Sequence, residues 1–154
     1  MSLILNVSEN ALNALATQLS SHLDPGQLIL LTGTVGAGKT TFTQFIGNAL
    51  SSTDPINSPS YSLVQSYRCN HPSIKQIHHM DLYRLNTQSD IHHLDLDRYL
   101  EDTSAICIIE WSDKWTNAKS LNALEITISI ESPTHRQLRI KGPNHLLEKL
   151  KSIK

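Results

Sequence analysis

The sequence predicts an α/β fold in three layers, with helices packed around a mixed, partly parallel central sheet. Short apolar runs of strand length alternate along the chain with segments of helical spacing. The run 105–109 is nearly all apolar, as expected for a central strand that is covered on both faces. Polar turns between neighbouring strands favour antiparallel hairpins that extend a parallel centre. Because the chain has 154 residues, we expect it to form a single domain, residues 1–154, around one core.

The first half of the chain contains five predicted elements. Ser8 and the acidic residue after it are typical of a helix start, and an apolar stripe follows them. Asp24, Pro25 and Gly26 end that helix and turn the chain into the first core strand. The five elements are a helix after Ser8, a strand at 28–31, a helix at 41–50 and strands at 61–67 and 74–81 that form a hairpin.

The second half of the chain contains a further helix, three strands and a last helix. Alternating apolar residues indicate the second and third of these strands, and a Ser-Pro-Thr turn allows the two to pair. Two late lysines suit the C-terminal end of the last helix. The predicted elements are a helix within 91–100, strands at 105–109, 124–130 and 137–141, and a helix at 143–153.

The segment between the first core strand and its helix reads GTVGAGKT, which matches the phosphate-binding pattern G-x-x-x-x-G-K-[ST]. Glycines let backbone N–H groups turn inward around a phosphate, and the helix N-terminus adds the positive end of its dipole. Lys39 is expected to reach the β- and γ-phosphates, and the Thr40 hydroxyl to ligate Mg²⁺. The fold predicted is therefore P-loop NTPase-like. Its nucleotide-binding residues are predicted to be Gly33, Thr34, Val35, Gly36, Ala37, Gly38, Lys39, Thr40 and Thr41.

Two acidic residues are candidates for the catalytic groups that hydrolysis would need. Catalysis of phosphoryl transfer requires a carboxylate near the metal and a group that places water, and such groups stand at the carboxyl ends of core strands. Glu110 follows the apolar run 106–109, and Asp81 ends the strand predicted at 74–81. The alternatives are an exposed strand-end acid for Glu110 and a helix cap for Asp81.

Composition excludes several classes of protein. The net charge is -1 and the pI about 6.7, so the chain has no basic field to hold nucleic acid unaided, and we expect no DNA partner. Cys69 and Cys107 are too few for a disulfide framework or a zinc ribbon, and Cys107 is expected in the core. No apolar stretch reaches membrane-spanning length and residues 1–5 lack a basic start, so we expect a cytoplasmic protein. The guanine-reading N-K-x-D pattern is absent, which favours ATP and ADP as ligands.

Eight histidines invite a metal hypothesis, which the spacing does not support. His78 and His79 are adjacent on a predicted strand and therefore point to opposite faces. No cysteine or histidine completes a zinc-like spacing, so we expect ordinary surface histidines. Trp111 is expected beside the nucleotide pocket, in the core or at an interface.

Four blocks of sequence, residues 33–42, 58–64, 79–85 and 109–111, recur together in the order and spacing of one family. In these blocks the chain resembles TsaE, the bacterial ATPase of tRNA threonylcarbamoyladenosine biosynthesis. The resemblance implies that Thr40 and Glu110 hold Mg²⁺ and that Asp81 is an essential acid near the γ-phosphate. It also implies that residues 58–60 form a switch-like loop facing the nucleotide.

Arg136 falls where the family has an arginine that approaches the nucleotide, and a solvated arginine in a hairpin is the alternative reading. The residues alone favour the solvated arginine, and Arg136 is nevertheless included among the predicted nucleotide-binding residues because of the resemblance.

The resemblance further implies an ATP-binding and hydrolysing subunit required for N6-threonylcarbamoyladenosine at position 37 of tRNAs that read ANN codons. The implied partner is the TsaB–TsaD heterodimer, in which TsaD performs the transfer, and tRNA is reached only through that complex. ATP hydrolysis is implied to reset the complex between turnovers. The expected enzyme is a weak Mg²⁺-dependent ATPase that is stimulated by its partners and is not itself the transferase.

Four positions depart from the pattern of the resembled family. Thr34 stands where an acid is usual, Ser60 replaces a threonine, Asp95 lies where a glycine is frequent and Ser112 stands where a proline is common. The first departure matters most, because it removes a negative charge beside the phosphates. This change should ease ATP binding, and it leaves the basal rate of hydrolysis open.

A small-molecule P-loop kinase is the alternative function. Such kinases need a substrate pocket and a mobile lid, usually with arginines that neutralise the transferred phosphoryl group. The chain has only five arginines and no lid-like run, and its middle reads as a hairpin where kinases place substrate-binding helices. A nucleotide-gated binding module that hardly hydrolyses ATP is a third possibility that the sequence does not separate from the first.

Overall fold

A computed structural model describes residues 2–58, 63–120 and 122–153 of the chain. Over these residues the strands are β1 (Ser2–Ser8), β2 (Leu28–Gly33), β3 (Val64–Arg68), β4 (Gln76–Asp81), β5 (Ala105–Glu110), β6 (Leu124–Ile130) and β7 (His135–Lys141). The α-helices are α1 (Glu9–Ser20), α2 (Lys39–Ala49), α3 (Gln88–His92), α4 (Leu96–Leu100) and α5 (Asn144–Leu150). Two short 3₁₀ helices, Ser112–Lys114 and Thr116–Ser120, follow β5.

All seven strands form one mixed sheet in the order β1-β7-β6-β2-β5-β4-β3. The four central strands, β6, β2, β5 and β4, run parallel to one another. Antiparallel pairs extend the sheet at both edges, with β7 and β1 on one side and β3 on the other. The prediction of a parallel centre flanked by hairpins is confirmed.

Helices cover both faces of the sheet, which confirms the three layers. Side chains of β2 alternate between the faces, as the pleat of a strand requires. Ile29 and Leu31 join the core under α1, α2 and α5, whereas Leu28 and Leu30 join the core under α3 and α4. Strands β5 and β4 alternate in the same way, and each of them is buried along most of its length.

The edge strand β1 was not predicted from the sequence. It pairs antiparallel with β7, from Ser2 opposite Lys141 to Ser8 opposite His135. Ser8 also begins the next element, because its Oγ accepts a hydrogen bond from the backbone N–H of Ala11, 3.2 Å away. The predicted helix cap is therefore confirmed, and β1 leads directly into α1.

Other boundaries differ from the prediction by a few residues. The helical segment within 91–100 is two short helices, and the chain between them turns at Asp95, whose φ is 52°. The backbone of Asp95 is in the left-handed region, which glycine adopts more readily than other residues, so a glycine would suit this position. Strand β5 extends one residue further than predicted and includes Glu110. Residues 59–62, which contain Ser60 of the predicted switch loop and the predicted start of β3, lie outside the described residues.

Cys107 lies on β5 in the core, as predicted, and burial raises the pKa of its thiol to about 12. Cys69 is also buried, and burial raises its pKa to about 11. In the described part of the chain, no helix is long and apolar enough to cross a membrane.

Candidate nucleotide-binding site

The glycine loop connects β2 to α2 in a conformation that only glycine adopts readily. Gly38, immediately before the helix, has a φ of 113°. At Gly33, an added Cβ atom would lie 2.5 Å from the backbone oxygen of Ile128 on the neighbouring strand β6. The two glycines therefore serve different needs: one permits the turn into the helix, and the other permits close packing of the loop on the sheet.

Lys39 is the first residue of α2, and its side chain folds back over the loop. Its Nζ donates hydrogen bonds to the backbone oxygens of Gly33 at 2.7 Å and Thr34 at 3.0 Å. The same Nζ lies 4.2 Å from the centre of the Trp111 ring. Only 5% of Lys39 is exposed, so the residue is buried beneath the loop rather than displayed on its outer surface.

The charge of Lys39 is balanced by acidic neighbours. Burial lowers the pKa of Lys39, and the carboxylates of Glu110, Asp81 and Asp113 act in the opposite direction. The ammonium group is thus held in a partly dry site by hydrogen bonds to carbonyl oxygens and by attraction to carboxylates.

Thr40 and Glu110 are in direct contact. The Thr40 Oγ1 donates to Glu110 Oε1 at 2.9 Å and lies 3.2 Å from Oε2. Glu110 is the last residue of β5 and is 1% exposed, so the alternative of an exposed strand-end acid is wrong. The two residues predicted to hold a metal are therefore brought together, one from the helix and one from the sheet.

Asp81 stands beside Glu110 on the neighbouring strand. The two residues are paired in the register of the parallel strands β4 and β5, and Leu82 N donates to the Glu110 backbone oxygen at 3.1 Å. Asp81 Oδ1 accepts from the Tyr83 backbone N–H at 2.9 Å, which closes a turn, so the alternative of a helix cap is wrong. Burial raises the pKa of the Asp81 carboxyl and the charge of Glu110 adds to the effect, whereas the hydrogen bond from Tyr83 opposes it.

Two cavities flank the glycine loop. The first, which we call the Asp81 cavity, has a volume of about 320 Å³ and contains both candidate acids. The second, which we call the Arg136 cavity, has a volume of about 570 Å³ and lies between the loop, the start of α1 and the β6–β7 turn. Gly36, Gly38 and Thr41 line both cavities, so the two adjoin at the loop. The Asp81 cavity is lined by Val35, Gly36, Gly38, Lys39, Thr40, Thr41, Asp81, Tyr83, Glu110 and Trp111.

Arg136 connects β7 to the glycine loop. Its Nε donates to the backbone oxygen of Ala37 at 3.0 Å, and a terminal nitrogen donates to the backbone oxygen of Ser132 at 2.9 Å. The alternative of a solvated hairpin arginine is therefore wrong. Whether Arg136 also contacts a nucleotide stays a prediction; its contact in the structure is with the loop that surrounds the site.

His78 and His79 are buried, so the expectation of surface histidines is wrong for this pair. As predicted, they point to opposite faces of β4. His78 Nε2 lies 2.8 Å from Asp102 Oδ2 and Nδ1 lies 2.7 Å from Ser66 Oγ, away from the glycine loop. His79 faces α2, where its Nε2 is hydrogen bonded to Glu110 Oε2. The sequence did contain a signal that His79 lies near the site. It stands two residues before Asp81 on the same strand, so both side chains lie on one face of the sheet.

Two aromatic side chains, Trp111 and Tyr83, line the Asp81 cavity. Trp111 lines the cavity, which is one of its three predicted locations, and its ring centre lies 4.9 Å from that of Tyr83. Trp111 has a φ of 58° and turns the chain out of β5 into the first 3₁₀ helix. Ser112 behind it is buried, and its Oγ lies 3.4 Å from the Leu31 backbone oxygen.

The strand, glycine loop and helix, with an acid at the end of the adjacent parallel strand, define a protein with a P-loop NTPase fold. A family model described as "Threonylcarbamoyl adenosine biosynthesis protein TsaE" matches residues 6–139, so the chain belongs to the TsaE family.

Relatives and a solved structure agree with this assignment. The TsaE protein of Bacillus subtilis strain 168 is 28% identical over 144 residues, which are 94% of this chain and 87% of the relative. The TsaE protein of Mycobacterium tuberculosis strain H37Rv is 32% identical over 82% of this chain and 76% of the relative. The crystal structure of Bacillus subtilis YdiB superposes with a TM-score of 0.72 at 25% identity, covering 97% of this chain and 94% of that one.

Proposed function

We propose that this chain is a weak, Mg²⁺-dependent ATPase, folded as a single cytoplasmic domain of residues 1–154. It serves the formation of N6-threonylcarbamoyladenosine at position 37 of tRNAs that read ANN codons. ATP binding and hydrolysis reset the TsaB–TsaD transferase, and tRNA is reached through that complex. The observation that carries the proposal is the contact of Thr40 with Glu110 beside the buried ammonium of Lys39.

The glycine loop and Lys39 supply the phosphate site. The backbone N–H groups at the start of α2 and the dipole of this helix favour a bound anion. Lys39 Nζ now donates to the backbone oxygens of Gly33 and Thr34. Phosphate oxygens replace these carbonyl acceptors when the nucleotide binds, and a charged acceptor makes the stronger hydrogen bond.

Thr40 and Glu110 fit a magnesium ion. Mg²⁺ prefers oxygen ligands and is usually held by one or two carboxylates together with substrate phosphates. A hydroxyl oxygen and a carboxylate in contact at the edge of the Asp81 cavity meet this requirement. When bound there, the ion neutralises charge on the phosphate oxygens.

Asp81 is proposed to place the attacking water. It lines the same cavity as Lys39 and Thr40, and its carboxyl has a raised pKa because of burial. A carboxylate that is a stronger base than usual accepts a proton more readily at neutral pH. Glu110 lies against Thr40 and acts at the metal, so the two acids divide the work.

The Arg136 cavity is proposed to take the nucleoside. It adjoins the Asp81 cavity at Gly36, Gly38 and Thr41, and its volume of about 570 Å³ gives room for the base and ribose of a nucleotide that spans the loop. Arg136 shapes the cavity by holding the Ala37 backbone oxygen.

The partner site is proposed at the mouth of the Asp81 cavity. No arginine lines this cavity among the described residues, and other P-loop enzymes gain about 10³–10⁵ in turnover from an arginine supplied by a partner. Val35 is 69% exposed and Tyr83 50% exposed at the mouth, and such apolar surface suits protein docking. A partner seated there covers the nucleotide and senses its state. The switch segment expected to contribute to docking, residues 58–61, extends beyond the described residues.

The test is ATP turnover measured for the chain alone, with the TsaB–TsaD pair, and with small phosphoryl acceptors. We expect slow turnover alone and a marked rise with the pair. Turnover that rises with a small acceptor, and not with the pair, would instead establish the kinase. ATP binding with no turnover in any mixture would leave a nucleotide-gated binding module.

A further inference from the structure

His79 is a fully buried polar residue that contacts the proposed metal site. Its Nε2 is hydrogen bonded to Glu110 Oε2, and none of its surface is exposed. Its other ring nitrogen, Nδ1, is buried and has no hydrogen-bond partner among the described residues. Buried polar atoms without partners are rare in proteins, so this arrangement needs a reason.

The missing partner of Nδ1 assigns the tautomer of the ring. A proton on Nδ1 would be a buried donor without an acceptor, and Nε2 would then present a lone pair to the Glu110 carboxylate. With the proton on Nε2, the ring donates to Glu110 Oε2 and leaves only an unpaired acceptor at Nδ1. The arrangement with the proton on Nε2 leaves no buried donor unpaired, and that Nε2–H donor is committed to Glu110.

The hydrogen bond from His79 divides the two oxygens of Glu110 between different tasks. Oε2 is held from the side of the sheet by His79, whereas Oε1 makes the shorter contact with the Thr40 hydroxyl, at 2.9 Å. A glutamate side chain has three rotatable bonds, and one contact at its tip does not hold it in place. Contacts with two different side chains, His79 and Thr40, keep Oε1 beside Thr40 and the Asp81 cavity.

We propose that His79 is a positioning residue, whose Nε2–H holds Glu110 Oε2 so that Oε1 stays available for the metal beside Thr40. The inference rests on the proposed function, because it assumes that Thr40 and Glu110 bind Mg²⁺ with the nucleotide. Groups that hydrogen bond to metal ligands from behind orient those ligands, and their loss typically lowers metal affinity by about 10- to 100-fold.

The adjacent His78 is a natural control. It is also buried and also bonded to a carboxylate, that of Asp102, but it lies on the other face of β4. A substitution at His78 disturbs the same strand to a similar degree without touching Glu110. A purely structural role for His79 predicts equal consequences at the two positions.

The experiment compares His79→Gln with His79→Asn. The side-chain nitrogen of glutamine occupies the position of His Nε2, and that of asparagine occupies the position of Nδ1, so only glutamine reaches Glu110. His79→Leu removes the donor altogether, and His78→Gln and His78→Leu are the controls. Calorimetry measures the affinity for a non-hydrolysable ATP analogue with Mg²⁺ and with excess EDTA, and thermal melting follows the fold.

We expect the gain in affinity from Mg²⁺ to fall about tenfold or more in His79→Asn and His79→Leu. His79→Gln and both His78 variants should keep the gain within about threefold, whatever their melting temperatures. Affinities in EDTA should stay within about threefold throughout, because the contacts to the phosphates do not involve His79.

The inference is overturned if His79→Asn keeps the gain of the wild type, or if His79→Gln loses as much as His79→Asn. The asparagine and glutamine variants decide this even if His79→Leu does not fold. If the wild-type protein shows no gain in affinity from Mg²⁺, the proposed metal role is wrong, and this inference with it. Failure of the metal role is therefore seen in the wild type, whereas failure of the inference alone is seen only in the variants.

Discussion

At the scale of single residues, Lys39 combines a positive charge with burial in the glycine loop. Its Nζ contacts the Gly33 and Thr34 backbone oxygens and the Trp111 ring. Lys39→Ala should lower ATP affinity about ten- to a hundredfold, because hydrogen bonds to charged groups contribute roughly 1.5–3 kcal/mol. Calorimetry measures this. Lys114, whose Nζ lies 6.0 Å from the centre of the same Trp111 ring, is the control, and Lys114→Ala should bind ATP normally. An unchanged affinity in Lys39→Ala would contradict the phosphate site.

Asp81, the acid proposed to place water, is expected to destabilise the fold that holds it at neutral pH. Burial raises the pKa of its carboxyl above the ordinary 3.8, so the folded state binds the proton more tightly than the unfolded chain. The free energy of unfolding therefore falls as the pH rises from about 3.8 through the folded pKa, and Asp81 is destabilising at neutral pH.

Asp81→Asn should accordingly melt at a higher temperature than the wild type at pH 7, while ATP hydrolysis is lost. The asparagine oxygen still accepts from the Tyr83 backbone N–H, so the turn after β4 is retained. Melting curves from pH 7 down to pH 4 check the sign, because the difference should shrink as the pH falls. A lower melting temperature at pH 7 would show that ionised Asp81 stabilises the fold.

Substitution of Glu110 should affect ATP binding and turnover differently from substitution of Asp81. Because Glu110 contacts Thr40, Glu110→Ala is expected to weaken the Mg²⁺-dependent part of ATP binding as well as turnover. Asp81→Asn should spare binding and abolish hydrolysis. Parallel measurements of binding and turnover in both variants test this. Identical defects would contradict the division of roles, although a shared role near the metal would survive.

At the scale of elements, the glycine loop is held from both sides, by the sheet below it and by the β6–β7 hairpin. The contact from the hairpin is made by Arg136, whose guanidinium bonds to the Ala37 and Ser132 backbone oxygens. Since Arg136 ties two elements together, its loss should loosen the loop without unfolding the sheet. The shape of the Arg136 cavity depends on the same contacts.

Arg136→Ala should reduce ATP affinity about tenfold, in line with the loss of charge-assisted hydrogen bonds that order the loop. Arg139 on the same strand is the matched control, because it lies on the opposite face of β7 and is exposed. Arg139→Ala should bind ATP as the wild type does. Calorimetry measures the ATP affinity of both variants. If Arg136→Ala binds ATP as tightly as Arg139→Ala does, Arg136 does not belong to the site.

Elements with local signals were predictable from the sequence, and those that depend on distant contacts were not. The glycine loop and the Ser8 cap follow from short patterns, and both occur as predicted. Strand β1 was missed because residues 2–8 become a strand by pairing with β7, at the far end of the chain. The turn at Asp95 was missed because a positive φ is uncommon for residues other than glycine.

The same distinction between local signals and distant contacts applies to the candidate site. Thr40 belongs to a sequence motif, and the strand ends located Glu110 and Asp81, which the structure places beside the loop. The burial of Lys39 and the contact of His79 with Glu110 were not predictable, because they depend on which side chains pack together behind the loop. Motifs identify the groups that face a ligand, whereas the groups that hold them emerge only from packing.

At the scale of the whole molecule, the parallel strands β2, β5 and β4 end at the same edge of the sheet, with helices over both faces. In the proposed function, nucleotide and partner therefore meet at one edge. Exposed apolar residues also occur away from this site. Ile4, on the edge strand β1, is 50% exposed and lies outside both cavities. Tyr83, which has the same exposure, lies at the mouth of the Asp81 cavity.

This arrangement predicts that the affinity for the TsaB–TsaD heterodimer depends on the bound nucleotide. A nucleotide shifts the assembly only if the partner binds the two loaded states differently. Titrating the heterodimer against the chain loaded with ADP or with a non-hydrolysable ATP analogue measures that difference. Tyr83→Ala should weaken the complex in the preferred state, and Ile4→Ala should leave it unchanged. Equal affinities for both loaded states, with no rise in ATP turnover on mixing, would rule out a nucleotide-controlled partner at this edge.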